Sequence, residues 1–372
     1  MDQPATGHAA SREGFSAHTV RLAWILAAAY LLIVAYASLQ PFRGWRVPPP
    51  EVLYFLGAAW PRFITLQDVA VNLAAYVPLG LLLSVGYGAR YGAAQGVVAA
   101  TLTAALLSLA MEAAQMFLPS RIASNVDLLA NTLGALLGAM AAPLFAPTRI
   151  LGGKLHAVRH RVFEEGMAAD AGLVVVFLWL VTQFHPTTQL FGSGNLRATF
   201  DLPAYFTHTP GLAFSSEAVV VLLNLMGVGL MLSALMREGA HRLPHVFGAV
   251  IGTALAIKVF TAVALVQAPA PLAWVTPGVI VGLAAGCVLL YPVGRLPRSV
   301  QLAISAACIV AAAAAINLAP DNPYHSIPPR LLAKGAGHFL NFSGIVRAIS
   351  ELWPLLATGF VLYALSSRPR HI

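Results

Sequence analysis

Five polar residues punctuate the run SLAMEAAQMFLPSRIASNVDLLANTLGALLG from Ser108 to Gly138: Glu112, Gln115, Arg121, Asp127 and Asn131. Glu112 and Gln115 stand at helical i, i+3 spacing, and Asp127 and Asn131 at i, i+4. Each pair therefore presents an acid and an amide on one helix face. Upstream, Asp68 and Asn72 repeat the i, i+4 pattern. Carboxyl groups accept hydrogen bonds and exchange protons, and a guanidinium stays charged and grips a carboxylate or phosphate with two parallel donors. Such groups surrounded by apolar sequence support two readings. In the first, Arg121 neutralises Asp127 or Glu112 and fixes a helical hairpin. In the second, the residues bind an anionic head group or a lipid-linked sugar, since an isolated charge in lipid costs at least about 2.5 kcal/mol and is retained where it has work to do.

The elements that carry these residues follow from composition. The chain has 372 residues, of which 58% are hydrophobic and 10% charged, and its mean hydropathy is +0.76. Apolar runs long enough to cross a hydrocarbon core recur near residues 22–39, 68–87, 93–117, 126–146, 168–184, 216–236, 245–267, 272–292, 299–319 and 351–366, about ten spans in all. They lack the alternation of barrel strands, so the backbone must satisfy itself as helices. The expected fold is an all-α polytopic transmembrane helix bundle. Arg90, Arg149, Lys154, Arg159, Arg161 and Arg237 fall on one side of it, which by the positive-inside rule places both termini in the cytoplasm.

The expected organisation is a cytoplasmic tail (1–20), a four-helix membrane domain (21–147), a basic cytoplasmic loop (148–167), a second membrane unit (168–293), and a C-terminal membrane unit with its tail (294–372). The second unit reads as a worn repeat of the first. It sets Asp68 over Glu217, Gly80 over Gly229 and Gly134-x-x-x-Gly138 over Gly282-x-x-x-Gly286, but keeps no counterpart of Arg121, Asp127 or Asn131. These small-residue pairs, with Gly248-x-x-x-Gly252, are expected to bring helix backbones close together. The aromatic outer segments 51–63 and 184–215 are expected at head-group level, as anchors or as a lid.

The net charge of +8 has no aromatic-interleaved basic stretch to go with it, so the partners it implies are anionic lipid head groups and not nucleic acid. Lys258, deep in a span, either reaches for the interface or pairs with Glu112. Cys287 and Cys308 fall in spans and form no disulfide framework or zinc spacing. His241 and His245 alone do not make a metal site. No cofactor is called for. G-x-S-x-G, H-E-x-x-H, P-loop and paired-cysteine motifs are all missing, which leaves buried acids as the sole route to an enzyme.

The ordered series ASLQPF, DVAVNLAAYVPLG with Asp68, Asn72, Pro78 and Gly80, MEAAQMFLPSR with Glu112, Gln115 and Arg121, and DLLANTLGALLG with Asp127, Asn131, Gly134 and Gly138 resembles the VanZ-like family of membrane proteins over about residues 25–145. The resemblance implies a bacterial inner-membrane protein of the cell envelope with a link to teicoplanin-type glycopeptide resistance. It implies no reaction. Three functions are carried forward: binding or altering a lipid-anchored or amphiphilic ligand at the outer leaflet, transport or flipping of such a molecule, and an enzyme acting on lipid-linked envelope material.

Overall fold

A computed structural model describes residues 15, 17–39, 44–48, 51–60, 66–146, 148–185, 189–200, 202–237, 243–265, 272–320 and 336–366. The side chain of Asp68, the Gln40–Phe42 part of ASLQPF, and His241 lie outside the described residues. Among the described residues there is no β-strand, and the architecture is all-helical. Among these residues eight helices are long and apolar enough to cross a membrane, and two more apolar helices are shorter. All ten coincide with the apolar runs of the sequence. The protein is a multi-pass membrane protein. Its chain divides into two compact units, Met1–Arg159 and His160–Ile372.

The first unit contains α1 (Ala17–Leu39), α2 (Leu66–Tyr91), α3 (Ala93–Gln115) and α4 (Asn125–Ala141). Its tightest contact is between α2 and α4. A Cβ on Gly134 would lie 2.0 Å from the Leu73 carbonyl oxygen, one on Gly138 would lie 1.9 Å from that of Val77, and one on Gly80 would lie 2.0 Å from that of Ala135. Three glycines thus let two backbones touch where any side chain would force them apart. Ala27, Val34, Leu79, Leu83, Ala100, Ala104, Ala135 and Ala139 fill the core around this contact.

The basic stretch expected as a connecting loop instead forms α5 (Ile150–Val162). Leu151, Leu155, Val158 and Val162 recur at three- and four-residue spacing among its lysine, arginines and histidines, enough for one apolar stripe on a short helix.

The second unit contains α6 (Met167–Thr182), the single turn α7 (Leu196–Thr199), α8 (Pro210–Leu235), α9 (Leu243–Phe260), α10 (Pro277–Val293), α11 (Arg298–Leu318) and α12 (Ala336–Ser366). Helix α8 is its axis: Val220, Val221, Leu225, Val228, Leu230 and Met231 are all fully buried. Gly282 and Gly286 of α10 pack on α8 at Ala218, Val221 and Leu225. In each unit, then, a small-x-x-x-small helix lies against the helix that carries the aligned acid, Asp68 in α2 and Glu217 in α8. Gly248 and Gly252 do not act in this way. A Cβ at either would meet nothing within 4 Å, so this spacing in α9 faces away from its described neighbours. The aromatic segments expected at head-group level also divide: Trp60, Phe200, Tyr205 and Phe206 are exposed, whereas Phe191 is buried against Trp179 with ring centroids 5.0 Å apart.

Candidate functional site

Helices α2 and α4 begin, and α3 ends, at the same end of the first unit. That antiparallel arrangement stacks their polar residues. Asp68, Asn72 and Tyr76 follow one another at four-residue intervals along α2, as do Asp127 and Asn131 along α4, and Glu112 and Ser108 run the opposite way along α3. Asn72, Tyr76, Ser108, Glu112, Asp127 and Asn131 are all buried. They form a polar column that descends from the helix ends into the bundle.

At the top of the column, Ser124 is the N-cap of α4. Its Oγ accepts from the backbone N–H groups of Val126 (3.2 Å) and Asp127 (3.4 Å). The N–H of Ser124 itself donates to Glu112 Oε2 at 2.8 Å. A carboxylate at this position lies against the positive end of the α4 dipole and ties α3 to α4. The Asp127 carboxyl is close enough to that of Glu112 for the two to interact electrostatically, and Arg121 acts on Glu112 from the α3–α4 connection.

Gln115 and Arg121 have a further role that the sequence does not reveal. Gln115 Nε2 donates to the Ser38 carbonyl at 3.0 Å, and Arg121 Nη2 donates to the Ala37 carbonyl at 3.3 Å. Both acceptors belong to the last turn of α1, whose carbonyls have no partner within their own helix. An arginine there also complements the negative end of the helix dipole. Burial lowers the pKa of the Arg121 guanidinium and the Glu112 carboxyl opposes that shift.

Deeper in the column, Asn131 Nδ2 donates to Ser108 Oγ at 2.9 Å, and Ser108 is also hydrogen-bonded to Tyr76. Asn131 Oδ1 has no hydrogen-bond partner. Beneath Tyr76 and Ser108 the same helices bury Leu79, Ala100, Ala104, Ala135 and Ala139, and Ser84 Oγ donates to the Ala139 carbonyl. The column is therefore closed at its inner end by side chains with no polar atoms to spare. Residues 14–146 match the VanZ/LLP1 family model. This chain carries a VanZ-like domain. Every residue of the polar column lies inside that matched segment. Neither a curated protein nor a solved structure matches the chain.

Of the residues singled out in the sequence, the VanZ-like domain brings Glu112, Asp127 and Asn131 into one column with Asn72. It places Gln115 and Arg121 at its rim, on the end of α1. Ser108, Tyr76 and Ser124 were missed. Their signal was present, since Ser108 precedes Glu112 by four residues and Tyr76 follows Asn72 by four. Hydroxyls that bond their own helix are common in membrane spans, however, and do not stand out.

The second unit holds its own buried polar groups. Lys258 Nζ donates to the carbonyl of His185 at 3.0 Å, and Thr276, the N-cap of α10, donates to the Glu217 carboxylate. Arg347 pairs with Glu351 at 2.6 Å along α12. Among the described residues no group of three His, Cys, Asp or Glu side chains could hold a metal ion.

Proposed function

We propose that the VanZ-like domain binds the polar head of a lipid-anchored or amphiphilic envelope molecule at the outer leaflet of the bacterial inner membrane. The reading is carried by one observation: a buried polar column at one end of the domain, with the carboxyls of Glu112 and Asp127 nearest the helix ends and an unpartnered acceptor, Asn131 Oδ1, deeper among the helices. Polar groups at membrane depth are costly unless paired or used. With arginine-rich loops on the cytoplasmic side, this end of the column faces outward. The apolar plug below Tyr76 favours binding, or chemistry on a bound head group, over passage of a polar solute through this unit. Any link to glycopeptide resistance would act through the bound molecule.

The test is extraction of the full chain in native-lipid particles, followed by mass spectrometry of what it retains. An amphiphile enriched over the bulk lipid and depleted in Asp127→Asn and Asn131→Leu is the expected result. Retention that mirrors the bulk lipid in the wild type rejects the proposal.

A further inference from the structure

In the second unit, the segment between α6 and α7 folds into a turn that its own residues do not favour. The Gly192 N–H donates to the Gln189 carbonyl at 3.0 Å. The third residue of that turn is Phe191 at φ +60°, a backbone region that suits glycine and strains a bulky side chain. The surrounding helices hold it there. The Gly194 N–H donates to the Ser350 carbonyl of α12 at 2.8 Å, and the Gly194 carbonyl accepts from Asn317 Nδ2 of α11 at 2.7 Å. These backbone groups are satisfied, but three side-chain donors are not. Trp179 Nε1 near the end of α6, and Gln189 Nε2 and Ser193 Oγ on the turn, are buried and have no hydrogen-bond partner among the described residues. Trp179 is 0% exposed and Ser193 2%, and the contact between the Trp179 and Phe191 rings sets the indole against the turn. An indole N–H can only donate. Buried without an acceptor, it forfeits the hydrogen bond it made in water.

The same region gathers basic side chains. Lys258, buried in α9, donates to the His185 carbonyl just beyond α6, and the charges of Lys258 and Arg347 both act on the His185 ring. Arg347 stands three residues before Ser350 and pairs with Glu351, and Arg197, three residues after Gly194, is buried. These cations have partners of their own; what they add near the turn is a field that favours negative charge. Directly after Lys258, α9 widens into a π-helical turn, Thr261–Leu265, an irregularity frequent at functional sites. We infer that the second unit holds a site for an oxyanion, a phosphate or carboxylate, between the end of α6 and the Gln189–Ser193 turn. It is separate from the polar column of the VanZ-like domain and does not rest on that reading. Trp179 Nε1 and Ser193 Oγ donate to the oxyanion, and Lys258 and Arg347 offset its charge. Hydrogen bonds of this kind are strengthened by the charge of the acceptor. A free anion and the head group of an anionic lipid offer the same oxygens.

The experiment places the full chain in phosphatidylcholine nanodiscs and titrates it with inorganic phosphate and with acetate by calorimetry, in chloride buffer at constant ionic strength. A second set of nanodiscs is doped with phosphatidic acid, and retained lipids are counted by native mass spectrometry. Saturable binding of a free anion identifies a soluble ligand. Retention of phosphatidic acid about ten-fold over phosphatidylcholine identifies a lipid head group. Trp179→Phe keeps a ring and removes the N–H, and Ser193→Ala removes the hydroxyl. Each is expected to weaken the binding about ten-fold, the worth of one hydrogen bond to a charged group. Both leave the charge of the protein unchanged, so general attraction by its cations does not move with them. Arg90→Gln, which removes an exposed cation of the first unit, should bind as the wild type does. A cooperative melting transition establishes that each variant is folded, and should Trp179→Phe not fold, Ser193→Ala supplies the same contrast.

Wild-type protein that binds neither free anion and retains phosphatidic acid no better than phosphatidylcholine overturns the inference. Binding that keeps its wild-type affinity in Trp179→Phe and Ser193→Ala also overturns it. So does an equal loss in Arg90→Gln, which marks attraction to the positive surface as a whole.

Discussion

Arg121 donates from the α3–α4 connection to the carbonyl oxygen of Ala37, at 3.3 Å and across 84 positions of sequence. That bond, with the parallel one from Gln115 to Ser38, closes the end of α1 against the hairpin that carries the polar column. Arg121→Ala leaves the Ala37 carbonyl without this donor and is expected to lower stability by about 1 kcal/mol. Arg121→Lys should recover part of the loss, because the charge remains near the helix end. Thermal unfolding of the purified protein in detergent reads both.

Glu112 separates a hydrogen-bonding role from a role of charge. Its Oε2 accepts from the Ser124 N–H, an acceptor that Gln also offers. Glu112→Gln is therefore expected to melt close to the wild type. Glu112→Ala strands a buried N–H at the start of α4 and should cost about 1–3 kcal/mol. Equal melting of the two variants would show that the carboxylate does not cap α4.

The glycines of α4 and α9 should behave in opposite ways. At Gly134 an added methyl would lie 2.0 Å from backbone, so Gly134→Ala must push α2 and α4 apart and is expected to destabilise by about 1–3 kcal/mol. At Gly252 nothing lies within 4 Å. Gly252→Ala is expected to be neutral or to stabilise by up to about 1 kcal/mol, since alanine is the better helix former. The same melting assay compares them.

His185 sets a pH dependence for the second unit. The residue follows α6, outside the spanning helices, and burial, reinforced by the charges of Lys258 and Arg347, pushes its pKa from 6.5 down to about 3. Between those values the unfolded chain binds a proton that the folded chain does not, so this contribution to stability is complete above pH 6.5 and is lost progressively as the pH falls towards 3. The melting temperature should therefore drop on acidification from about pH 7.5 to about pH 5, and His185→Gln should flatten the drop. Identical slopes for the two proteins would rule His185 out as the source.

The helices were legible because lipid leaves the backbone no alternative: ten apolar runs became ten helices. Helix α5 was obscured by its density of Lys, Arg and His, which reads as a solvated loop when the apolar residues between them are few. In the column, the acids and amides announced themselves by their cost in an apolar setting. The direction of Arg121 was not legible, since the sequence does not say which helix end lies beside the α3–α4 connection. The failure of Gly248 and Gly252 as a packing pair has a similar cause. Spacing gives the face of a helix but not the neighbour that the face meets.

The closure of α1 by residues of the following hairpin also constrains how the VanZ-like domain is assembled. Its first helix enters the membrane with its terminal carbonyls open, and it stays so until Gln115 and Arg121 have been synthesised and threaded into place. Insertion of the domain is thus not a succession of finished helices. The earliest span waits for the α3–α4 connection, and a chain stopped before Arg121 would lack the donor that meets the Ala37 carbonyl.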